Sequence, residues 1–99
     1  MLHILCACNH PEILDIMDRL VSKQDGWRSS KVDTFPKLVD LLKQQTFDLI
    51  LLGAGFGDTE RVAIEQQLTE QGQQTKVVNH FGGGSGLLYS EISLALAQN

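Results

Sequence analysis

Phe47-Asp48-Leu49-Ile50-Leu51-Leu52 is apolar at every position but one, with no polar alternation. That pattern marks a strand covered on both faces, which belongs to a parallel sheet between helices. Leu2 to Cys8 repeats it near the start of the chain. Trp27 to Asp33 instead alternates polar and apolar residues, as an edge strand does. Lys76 to Phe81 reads as a fourth strand, also weaker than the first and third.

The segments between and after these strands carry helical spacing. Asn9 is placed to cap the first helix and Pro11 to sit in its first turn. Ile13, Ile16, Met17, Leu20 and Val21 form its apolar face, and Asp25-Gly26 ends it. Thr34 and Pro36 open a second helix with Leu38, Val39, Leu41 and Leu42 on its inner side. Asp58 or Thr59 caps a third, which carries Val62, Ile64 and Leu68, is otherwise polar, and stops at Gly72. A last helix presents Leu88, Ile92 and Ala95, flanked by Leu87 and Leu96.

Strand and helix in strict alternation imply βαβ units with right-handed crossovers. The most apolar strands, first and third, belong in the middle and the weaker two at the edges. The expected fold is α/β, a three-layer flavodoxin-like open parallel sheet in the order 2-1-3-4 with helices on both faces. The 99 residues form one domain, with no linker, repeat or low-complexity tract.

Composition narrows the partners. The net charge is −4 and the eight basic residues are scattered, which argues against nucleic acid and anionic lipid. No apolar run approaches the ~20 residues that span a bilayer. The first residues lack the basic region and cleavage signature of a signal peptide. Cys6 and Cys8 are too close along one strand for an unstrained disulfide, so reduced thiols and a cytoplasmic location are expected.

Ile4-Leu5-Cys6-Ala7-Cys8-Asn9-His10-Pro11-Glu12-Ile13 resembles the first strand and loop of response-regulator receiver domains, and Phe47-Asp48-Leu49-Ile50-Leu51-Leu52-Gly53 resembles their third strand. The resemblance extends to the final helix, although the chain is about one βα unit short of the family pattern. It implies an acidic pair after the first strand, but Cys8 and Asn9 stand there; a thiol is a poor ligand for hard magnesium. It implies a phosphate-accepting Asp at the end of the third strand, but Gly53 stands there. The family's Lys-Pro pair before the last helix is replaced by His80-Phe81 and glycines. Receiver-type phosphoryl transfer is therefore not expected, and Asp58 lies too far on to replace the acceptor. The chain is similar, less closely, to IIB-type sugar phosphotransferase domains, in which a reactive Cys follows the first strand. Cys6 or Cys8 would match, but the loop Cys8-Asn9-His10-Pro11-Glu12 lacks that family's Gly, Ser and Thr, and Glu12 would repel phosphate.

Two glycine-rich loops are the features most open to a ligand. Asn79-His80-Phe81-Gly82-Gly83-Gly84-Ser85-Gly86 joins a strand to a helix N-terminus, where free N–H groups and the helix dipole favour an anion. Gly53-Ala54-Gly55-Phe56-Gly57 lies on the same carboxyl edge of the sheet, where open α/β sheets bind ligands. Asn9, His10, Gly53, Gly55, His80, Gly83, Gly84 and Ser85 are the candidate binding residues, with His80 and Ser85 making the specific contacts. The competing reading gives the glycines only turn geometry and Ser85 only a cap. Phe56 and Phe81 either face solvent beside the crevice or fold back over the sheet end. Cys6, Cys8, His10 and His80 do not have zinc spacing. No catalytic triad or carboxylate pair is visible.

These readings converge on a non-enzymatic, receiver-like signalling or interaction module that is not phosphorylatable, has no cofactor or metal, and binds a protein partner or itself as a homodimer. The alternatives are a domain binding a small anionic ligand such as a phosphate or nucleotide, and a phosphocarrier using Cys6, Cys8 or His10.

Overall fold

The computed structural model describes residues 2–80 and 85–97, with the side chains of residues 85–87 outside the description. Its elements run β1 (Leu2–Ala7), α1 (Pro11–Ser22), β2 (Trp27–Val32), α2 (Phe35–Gln44), β3 (Leu49–Leu52), α3 (Asp58–Glu70), β4 (Lys76–Asn79) and α4 (Ser85–Ala97). The four strands form one parallel sheet in the order β2-β1-β3-β4. This is the expected three-layer, flavodoxin-like arrangement.

The central pair sets the core. Ile4 pairs with Leu49 and Ala7 with Leu52, and every residue from Ile4 to Cys8 is fully buried. Successive side chains point to opposite faces. Leu5, Ala7, Ile50 and Leu52 therefore meet Leu38 and Leu42 of α2 and Ile64 and Leu68 of α3. On the other face, Ile4, Cys6, Cys8, Leu49 and Leu51 meet Leu14, Met17 and Val21 of α1 and Leu88 and Ile92 of α4. Edge strand β2 exposes Arg28 and Lys31, charges that discourage pairing with a further strand.

Several local expectations are corrected. The cap of α1 is His10, whose Nδ1 accepts from Ile13 N at 3.4 Å; Asn9 instead donates its own N–H to Ala54 O at 2.9 Å. The sheet-facing residues of α1 are Leu14, Met17 and Val21, whereas Ile13 and Ile16 are 38% and 47% exposed. Gly57, not Asp58 or Thr59, caps α3. Glu60 reaches back to accept from Gly57 N at 2.9 Å, and Asp58 occupies the first turn, where the dipole favours a carboxylate. Val62 is largely exposed, and Ile64 and Leu68 are the buried residues of α3. The strands are shorter than read: β1 ends at Ala7, β2 at Val32, β3 starts at Leu49, and β4 ends at Asn79. Phe47 nonetheless stays buried, with its carbonyl accepting from Thr75 Oγ1 at 2.6 Å.

No helix among the described residues is long and apolar enough to cross a membrane.

Candidate functional site

The carboxyl ends of β1, β3 and β4 meet at one edge, where backbone bonds prolong the ladder beyond the strands. Gly53 N donates to Ala7 O at 2.7 Å, Cys8 N to Val32 O at 3.1 Å, and His80 N to Leu52 O at 2.7 Å. The strand order reverses between β1 and β3, so the ligand crevice of such a sheet would open there.

That crevice is closed by the chain itself. A Cβ added to Gly53 would lie 3.2 Å from Cys8 Cβ, 3.3 Å from Cys8 Sγ and 3.3 Å from Met17 Sδ. The side chain of Asn9 occupies the space that a Cβ on Gly55 would need, and Gly55 has a φ of +88°, a backbone state L side chains rarely adopt. Cys8 is fully buried, and its Sγ accepts from His10 N at 3.4 Å. Asn9 and His10 thus serve the turn after β1: one packs over Gly55, the other caps α1.

The open space lies to one side. A cavity of about 870 Å³ is bounded by α1, the β3–α3 loop, the end of β4 and Leu88 of α4. Gly53, Gly55 and His80 line it, together with Ile13 and Ile16, which sequence periodicity assigns to the core. Asn9 and His10 are not among its lining residues. Gly83 and Gly84 lie outside the described residues, as does Phe81; Ser85 begins α4, but its side chain is not described. The aromatic of the first glycine loop, Phe56, folds back over the sheet end and is only 7% exposed.

His80 has a partner that the sequence does not announce. Its Nδ1 lies 2.5 Å from Glu91 Oε1 of α4, with the two side chains 6% and 20% exposed. The signal is the spacing from the end of β4 to the second turn of α4, readable only once the helix is phased. Asp58 and Glu60 also line the cavity, and no Lys or Arg does among the described residues. A phosphate would therefore meet carboxylates and no fixed cation there.

The thiols are shielded from solvent. Both cysteines are free and buried, and burial pushes the Cys6 thiol up from 9.0 to about 12. Among the described residues, no cluster of three or more His, Cys, Asp or Glu is placed to hold a metal ion.

No protein-family model matches the chain, and comparison with curated proteins gives no match.

Proposed function

We propose that this chain is a non-enzymatic, receiver-like signalling module that acts in the cytoplasm by binding a protein partner or a second copy of itself. The observation that carries this reading is the crowded glycine at the end of β3. Where a receiver presents a phosphate-accepting Asp, this chain has Gly53, enclosed by Cys8 and Met17. The strand order suits such a domain, while the acceptor position has no side chain and even a Cβ there would crowd Cys8 and Met17. A buried Cys6 with a raised pKa also weighs against a phosphocarrier role for that residue, which would need an accessible thiolate.

Incubation with acetyl phosphate and magnesium, read by intact mass, tests the first half. An unchanged mass is expected, and a phosphoryl adduct would overturn the reading. Sedimentation velocity over a concentration series, with affinity capture from the source lysate, tests the second half. Self-association or a reproducible protein partner is expected; a strict monomer that captures nothing would remove its basis.

A further inference from the structure

Helix α1 carries two apolar stripes, and the sheet covers only one. Leu14, Met17 and Val21 face the core. Ile13, Ile16 and Leu20 repeat the same spacing one residue earlier, and this second stripe lines the cavity. Phe56 and Leu88 line it as well, on the β3–α3 loop and α4. Its volume of about 870 Å³ falls within the range of small-molecule sites, commonly about 300–1,000 Å³.

The polar groups are few, and their chemistry is selective. The 2.5 Å contact of His80 Nδ1 with Glu91 Oε1 ties the imidazole at the cavity wall to α4. Asp58 and Glu60 add negative charge to the lining. From this the geometry points to a binding site for a small, mainly apolar molecule that carries no negative charge. The apolar body covers Ile13, Ile16 and Phe56. An anion is disfavoured by Asp58 and Glu60, and a neutral molecule is not.

Two dyes with the same ring skeleton separate these cases. N-phenyl-1-naphthylamine is neutral, apolar and has one N–H; 8-anilino-1-naphthalenesulfonate adds a sulfonate. Fluorescence titration of the whole chain should give saturable binding of the neutral dye at one per chain. The sulfonate should bind at least about tenfold more weakly. Ile16→Glu, at an exposed lining position, should weaken the neutral dye by at least about tenfold. Leu94→Glu introduces the same charge at a residue 64% exposed on α4 and outside the cavity lining, and should leave the titration unchanged. Far-UV circular dichroism establishes that both variants are folded. Non-saturable binding, equal affinity for the sulfonate, insensitivity to Ile16→Glu, or one dye per two chains would each overturn the inference. The intact-mass and sedimentation tests above do not depend on these outcomes, so the two readings can fail separately.

Discussion

The hydroxyl of Tyr89 donates to the carbonyl of Leu20 at 2.9 Å, across the gap between the last helix and the first. Leu20 O is one of the α1 carbonyls beyond reach of a full helical partner, so the bond satisfies an end of α1 while fastening α4 to it. Tyr89 also meets Trp27 edge-on, with ring centroids 6.3 Å apart. Tyr89→Phe keeps the ring contact and removes only the hydroxyl. It should lower stability by about 1 kcal/mol, read as a shift in the urea midpoint with an unchanged slope.

Gly53→Asp is the substitution that would restore an acceptor on paper. Its Cβ would press on the side chains of Cys8 and Met17, and its carboxylate would join those of Asp58 and Glu60 at the cavity wall. The expected cost is about 1–3 kcal/mol in chemical denaturation, with no phosphoryl adduct after acetyl phosphate treatment.

Gly55→Ala meets two obstacles, the φ of +88° and the side chain of Asn9. It should destabilise by about 1–3 kcal/mol. Adding Asn9→Ala should recover only part of the loss, because the backbone strain remains. Full recovery in the double variant would show that Asn9 alone makes the glycine necessary.

The Cys6 thiol links stability to alkaline pH. The unfolded chain releases its proton near 9.0, and the folded chain holds it to about 12. Between those values the folded state binds more protons, so stability falls as pH rises. Cys6→Ala should flatten that part of the denaturation profile relative to the parent chain. Native Cys6 should also stay unmodified by a thiol reagent near neutral pH.

His3 acts at the acid side. Burial lowers its pKa below 6.5, and the nearby Arg28 charge adds to the shift, with Asp48 opposing. The unfolded chain takes up this proton first as pH falls, so His3 withdraws stability below about 6.5. An imidazole proton titration by NMR should place its midpoint below that of a model histidine.

The sheet order was legible because Leu49-Ile50-Leu51-Leu52 and Ile4-Leu5-Cys6-Ala7 need cover on both sides, which puts them at the centre. What could not be read was the phase of a helix. Ile13 and Leu14 are equally apolar, and only the direction in which the chain leaves β1 decides which of them meets the sheet. The caps His10 and Gly57 were missed for a related reason. Asn9 and Asp58 are better capping residues by type, but each lies one position from the observed cap. The cavity follows from that phase, since it opens beside the stripe that lost the contest for the core. Of the expected binding residues, Gly53, Gly55 and His80 come together at its wall, while Asn9 and His10 shape the turn beside it.

The paired stripes of α1 carry one more consequence. Turning this helix by about 100° about its axis would exchange Leu14, Met17 and Val21 for Ile13, Ile16 and Leu20, at little change in oiliness. Apolar burial therefore discriminates poorly between the two settings. The decision falls to directional contacts: the His10 cap at one end, the Lys31–Asp15 pair along the side, and Tyr89 on Leu20 at the other end. Each is weak alone, but together they act as a key that selects one of two nearly degenerate orientations.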